Sequence, residues 1–291
     1  MEARGPGRHV DGFDREVAFH LQGPIVCKSS SSHSTLMAPQ LARSLYLGED
    51  CFMSGKGWVE IFTKYPAETE EEVMRFALIR YMCLWPNVAR GVRQCRNDNN
   101  PIKLIKTLST LVELRLGLYE INLKLQAIFN QRKHVRIGQS LRGDDLVSLV
   151  FQYRNWEMAR LVALHAGTSL IVERMISVLG AQQLVYTSCA TEMKDPLINA
   201  EPGQVDIQSL CMRVWMTYEH AWTIRPIGSQ FMLVPLISSY LYAGPAMQNW
   251  IIKTLNEMDE HRMLKNPRYN HASICRFARI YTGEEETMLN P

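Results

Sequence analysis

The chain reads as all-α, and three observations carry that reading. Thr69-Glu70-Glu71-Glu72 has the spacing of a capping box, with Thr69 as the N-cap and Glu72 three residues on. Ile105, Leu108, Leu111, Leu114, Leu118, Ile121, Leu125 and Ile128 recur at steps of three or four, the period of a helix with one buried face. No segment alternates apolar and polar residues over a convincing strand length.

The elements follow in order. Residues 1–38 are rich in Gly, Ser, Pro and His, with Ser29 to Ser32 in a row, and read as a weakly ordered arm; residues 39–291 read as one helical regulatory-type domain. The helix begun at Thr69 carries Val73, Phe76, Ala77, Ile79 and Tyr81 and is expected to end or kink at Pro86. Asn100-Pro101 opens the next helix, with proline at its first position. Asp144-Asp145 marks another start, because carboxylates favour the positive end of a helix dipole. That segment is read as running through Tyr153, Trp156, Leu161 and Leu164 toward Ile176 and ending at Gly180. Thr187 to Gly203, with Pro196 and Pro202, reads as a connecting loop. Three C-terminal helices fill Met212 to Met263, the second carrying Pro235-Leu236 and the third beginning after Gly244-Pro245.

Composition narrows the function classes. At 291 residues and 46% apolar, the chain can bury a substantial core. A formal charge of +3 is too small to imply a nucleic-acid surface by itself. The seven cysteines, at 27, 51, 83, 95, 189, 211 and 275, are odd in number and contain no close pair, which favours a reducing intracellular compartment. Met1 to Arg8 lead into Val10-Asp11-Gly12 and not an apolar run, so no signal peptide is expected. The apolar stretch from Phe231 to Met247 is broken by Pro235 and Gly244-Pro245, which argues against a membrane span there.

Motifs that carry chemistry do not assemble, and no catalytic, cofactor-binding or metal-ligating residue is assigned. Cys83 and Cys95 straddle Pro86 without the CxxC spacing of a structural zinc site, so the thiols read as core or surface residues. Asp144-Asp145 followed by Ser148 lacks the third acid of a terpene-cyclase metal motif. There is no GxSxG elbow and no GxGxxG fingerprint. Glu219-His220 offers an acid and a base, yet adjacent helical residues point about 100° apart, and a partly buried satisfied histidine is the simpler account. Arg132, Lys133, His134, Arg136 and Arg142 form a basic stretch that suits phosphate or an import receptor; its simpler reading is a helix C-terminus followed by a solvated loop. Trp156, Trp215, Trp222 and Trp250 are candidates to line a groove between helices, against the plainer reading that they are core.

The order of features carries a resemblance. Phe52-Met53-Ser54-Gly55-Lys56-Gly57-Trp58 precedes an acidic helix start and a long Leu/Ile-rich helix. Then come Trp-bearing helices, Phe231-Met232-Leu233-Val234-Pro235-Leu236, Gly244-Pro245 and Trp250-Ile251-Ile252. Over roughly residues 40–265 this resembles the C-terminal regulatory region of fungal zinc-cluster transcription factors. Members of that family read DNA through a six-cysteine binuclear zinc cluster; here the N-terminal region offers Cys27 and Cys51 and no basic loop. Zinc ligation and sequence-specific DNA binding are therefore not carried over. The resemblance implies a non-enzymatic nuclear regulator, also compatible with the cytoplasm, of a metabolic or secondary-metabolite pathway. It would use no cofactor and work through transcriptional or DNA-binding protein partners, as a homo- or hetero-oligomer. The alternative is a helical enzyme of a fungal biosynthetic pathway whose site carries no motif.

Overall fold

The computed structural model describes residues 44–45, 49, 51, 54–55, 67–98, 100–131, 134–143, 145–192, 206–259 and 268–285. The arm expected over residues 1–38, most of the Phe52 to Trp58 sequence, and Arg132, Lys133 and Asp144 lie outside the described residues. The described residues form eight long helices and one two-stranded hairpin: α1 (Glu70–Asn97), α2 (Pro101–Asn130), β1 (Val135–Gln139), β2 (Leu149–Tyr153), α3 (Trp156–Val178), α4 (Gln182–Glu192), α5 (Ile207–Thr223), α6 (Ile227–Tyr240), α7 (Pro245–Asp259) and α8 (His271–Thr282). The expected all-α class is what the chain adopts.

Helix α3 is the axis of the molecule. Sixteen of its 23 residues are buried, and it packs chiefly on α5 and α6, with α1, α2 and α8 around the remainder. By length and composition it could cross a membrane, with a mean hydropathy of 1.4 over its most apolar window, but 78% of that window is buried against other helices. Close approach is written into small residues. A Cβ at Gly167 would sit 2.9 Å from Pro235 Cα, so glycine lets α6 lie directly on α3 where Pro235 presents its ring. Pro235 thus has its missing N–H in a helix whose stability comes from this packing rather than from propensity.

Thr69 and Asn100 cap their helices as read, but the reciprocal half of the Thr69 box does not form, because Glu72 Oε2 accepts from Glu68 N–H at 2.9 Å and not from Thr69. Glu72 N–H donates to Thr69 Oγ1 at 3.2 Å, and Ile102 and Lys103 N–H donate to Asn100 Oδ1 at 3.0 and 3.3 Å. From Leu108 to Ile128 every stripe position is buried; Ile105, one turn earlier, is 67% exposed. Burial of each such side chain stabilises by about 1.5–3 kcal/mol.

Three expectations are corrected. Helix α1 does not end at Pro86 but runs through it to Asn97. The adjoining Trp85 donates its Nε1–H to Tyr281 O at 2.7 Å and meets the Tyr281 ring edge-on at 5.1 Å, so packing on α8 holds the helix where the local preference would break it. Second, Asp145 does not open a helix: the chain between α2 and α3 forms an antiparallel hairpin with Val135 paired to Tyr153 and Gln139 to Leu149. Its strands are five residues long, and β2 buries both Val150 and Phe151, so alternation never becomes visible. Asn155, accepting from Met158 N–H at 2.8 Å, is the cap that starts α3. Third, Thr187 to Glu192 belongs to α4, with Val185 and Cys189 buried; the remainder of the expected loop, residues 193–203, lies outside the described residues. The three expected C-terminal helices are present, and α8 follows them. Asn270 and Ser273 make its capping box, and Gly283, at φ 72°, ends it in the left-handed region that favours glycine.

Candidate functional site

Two polar clusters stand out in an otherwise apolar interior. The first lies between α2, α3 and α4. Arg115 Nε meets Glu173 Oε1 at 2.9 Å with both side chains about 5% exposed, and the Tyr186 hydroxyl donates to Glu173 Oε2 at 3.0 Å. The Arg115 guanidinium also lies 4.3 Å from the Tyr186 ring centroid. Burial works against the arginine charge, and the facing Glu173 carboxylate together with Cys189 more than offsets it, so the guanidinium is held ionised. The Tyr186 hydroxyl is pushed up to about 12 by burial and by Glu173 beside it.

His165, one helical face along α3, completes this cluster. Its Nε2 lies 2.9 Å from Leu118 O, which requires the Nε2–H tautomer, because a carbonyl can only accept. Nδ1 is then an acceptor, buried and without a hydrogen-bonding partner. Burial lowers the imidazole to about 4, so it is neutral at physiological pH. A cavity of about 30 Å³ borders Arg115, Asn122, His165, Ser169 and Glu173, enough for a water-sized guest and far below the volume of a metabolite. The chemistry available is that of a closed ion pair and a neutral imidazole. Such a network fixes which helices may pack together and at what register.

The second cluster gathers residues singled out in the sequence. Arg142 leaves the hairpin loop and enters a slot formed by α5 and α7. Its Nη1 donates to the Tyr218 hydroxyl at 2.6 Å and its Nη2 to Glu257 Oε2 at 2.8 Å. Its guanidinium lies 4.0 Å from the Trp222 ring centroid, and Arg225 lies 3.4 Å from the same ring. Glu219 accepts from the Ser140 hydroxyl at 2.5 Å and from Leu141 N–H at 3.0 Å. The slot retains a cavity of only about 10 Å³. Arg142 therefore does not share a solvated basic patch with Arg136, which is exposed on β1, or with His134, whose Nδ1 is 3.2 Å from Glu71. A guanidinium able to pair with a carboxylate and stack on indole gains more in the slot than in the loop.

Glu219 and His220 diverge as their adjacency requires. Glu219 holds the hairpin, while the His220 ring meets Tyr153 edge-on at 5.3 Å and is lowered by burial; its Nε2 is buried without a hydrogen-bond partner, so it is not the satisfied histidine expected. Trp215 and Trp250 are core residues, with Trp215 Nε1–H donating to Ser239 Oγ at 3.1 Å and Trp250 edge-on to Tyr218 at 5.2 Å. Trp222 is half-buried under the two arginines, and Trp156 stands apart at the start of α3. Sequence reasoning missed Arg115, Glu173 and His165, because a charge on an apolar helix face carries no label of its partner on another helix. In comparisons with known proteins, no family model, no curated protein and no solved structure matches the chain.

Proposed function

We propose that the chain is a non-enzymatic transcriptional regulator that acts through protein partners, in the nucleus, on genes of a metabolic or secondary-metabolite pathway. One observation supports the reading above others: the C-terminal segments of the resemblance pack together in the main core. Phe231, Met232 and Leu236 of α6, and Trp250 and Ile251 of α7, are all buried in the main core, and Pro235 lies on Gly167 of α3. The two polar clusters agree with a binding body, since each is closed around its own partners and serves to fix helix and hairpin positions.

The reading is tested by tethering the full chain to a heterologous DNA-binding domain at a reporter, with nuclear pull-downs in parallel. A changed reporter and a recovered transcriptional partner are expected. The pure chain should bind promoter and scrambled DNA equally weakly at physiological salt, because specificity needs base-edge contacts that a zinc cluster would have supplied. An unchanged reporter with no partner recovered would overturn the reading and bring the enzyme alternative forward.

A further inference from the structure

Helix α8 places a thiol, an imidazole and a phenol in one chain of contacts. The capping box fixes the first turn: Ser273 N–H donates to Asn270 Oδ1 at 2.9 Å, and Asn270 N–H to Ser273 Oγ at 3.0 Å. His271 is the first residue of the helix and is exposed; Cys275, one turn on and half-buried, shares its face. Cys275 Sγ lies 3.8 Å from His271 Nε2. On the other side of the ring, His271 Nδ1 hydrogen-bonds the hydroxyl of Tyr240, a buried residue at the end of α6. A nucleophile next to a base, with the base oriented by a third group, is the arrangement that activates thiols and hydroxyls for attack.

The other described cysteines are placed differently. Cys51, Cys83, Cys189 and Cys211 are buried. The neighbouring Cys51 thiol and, after it, burial push Cys83 far up, and burial pushes Cys211 up to about 12, so both are poor nucleophiles. Cys95 is partly exposed, but its sulfur faces the Thr107 hydroxyl at 3.7 Å, a group that cannot act as a base. Cys275 alone among the described cysteines combines exposure with an imidazole at hand.

We propose that Cys275 is a reactive thiol that forms mixed disulfides with small-molecule disulfides, with His271 as its general base. His271 Nε2 takes the proton from the Cys275 thiol, while Nδ1–H donates to the Tyr240 oxygen and keeps the ring in place. The sulfur attacks one sulfur of the small disulfide. A new bond forms to Cys275 as the old S–S bond breaks. The departing half leaves as a thiolate and collects the proton from the imidazolium. The small disulfide is the oxidant: the protein thiol is oxidised to a disulfide, one half of the reagent is reduced to a thiol, and no other electron carrier is needed.

The test is to incubate the folded full chain with oxidised glutathione at neutral pH and follow modification of each cysteine by non-reducing peptide mapping. Cys275 is expected to react at least about tenfold faster than Cys95. His271→Ala should bring Cys275 down to the Cys95 rate, and added free imidazole should restore it, while the Cys95 rate stays unchanged. His271→Gln should be as slow as His271→Ala, showing that a base and not mere bulk is required, and thermal melts confirm that each variant remains folded. Equal rates at Cys275 and Cys95 in the native chain, or a Cys275 rate indifferent to both His271 variants, would overturn the proposal. It stands or falls separately from the regulator reading, because it requires neither partner nor promoter.

Discussion

Arg115 and Arg142 each meet a glutamate at 2.8–2.9 Å and an aromatic face at 4.0–4.3 Å, yet their surroundings differ. Arg115 and Glu173 are sealed between helices, whereas the side chains of Arg142 and Glu257 remain about a quarter exposed. Where water is excluded, a lone charge has nothing to fall back on, and losing one partner is expensive. Where water reaches the pair, either partner can be re-solvated and the bond is worth much less. The sealed pair therefore belongs to global stability. The half-open pair belongs to the local placement of a hairpin.

The sharpest way to break that comparison is to remove one side of each pair. Arg115→Met should lower unfolding free energy by about 3–5 kcal/mol in urea titrations, because Glu173 is left charged and buried. Combining it with Glu173→Leu should recover most of the loss, since apolar groups of similar size fill the space without a charge to desolvate. A double variant no more stable than Arg115→Met would show that the pair contributes through geometry that apolar packing cannot replace.

His165 extends the comparison to pH. Its folded-state value is depressed to about 4 by burial, against about 6.5 in an unfolded chain. The unfolded state therefore takes up the proton first as pH falls. Stability from this residue is full above pH 6.5, declines between 6.5 and 4 by about 3 kcal/mol, and is flat below, where both states are protonated. A His165→Gln variant should lack this part of the slope when urea midpoints are compared across the window. A slope identical in the two proteins would place the acid sensitivity elsewhere.

How far all this was legible depends on whether a signal is local. Thr69, Asn100 and Gly180 announce helix ends through their own backbone needs, and the Leu108 to Ile128 stripe announces a buried face by its period. The end of α8 was available in the same way, through Asn270, the spacing Ile274, Phe277, Ala278, Tyr281, and Gly283. Pro86 misleads because its helix is held from outside by Trp85 on Tyr281. The hairpin misleads because β2 is buried on both faces, with Val150 on one and Phe151 and Tyr153 on the other, where Phe129 stacks on Phe151 and Thr217 lies 2.6 Å from the Tyr153 hydroxyl. Arg115, Glu173 and His165 are illegible for a plainer reason: 58 residues separate Arg115 from Glu173, and only the folded helices bring them together.

On the half-open side, Arg142→Ala removes hydrogen bonds to Tyr218 and Glu257 and the stack on Trp222. Because water can replace part of what is lost, global stability should fall by only about 1 kcal/mol. The larger effect is expected in hydrogen exchange, with amides of Val135–Gln139 and Leu149–Tyr153 exchanging faster while those of α3 keep their protection. If α3 loosened as much as the hairpin, the slot would be part of the core's cooperative unit and the contrast with Arg115 would fail.

The smallest effect is expected one residue away and separates backbone from side chain in the same loop. Leu141 donates its backbone N–H to Glu219 Oε1 at 3.0 Å, while its side chain is 90% exposed. Leu141→Lys keeps the N–H, and a lysine pointing into water needs no new partner. The melting free energy should move by no more than about 0.5 kcal/mol, and hairpin exchange should match the parent chain. Glu219→Gln, which leaves an acceptor on that amide but removes the charge behind it, should instead speed exchange at Leu141 and Arg142 without touching α3. A Leu141→Lys variant that loosened the hairpin as Arg142→Ala does would mean that the exposed leucine, and not the carboxylate beneath it, holds the loop on α5.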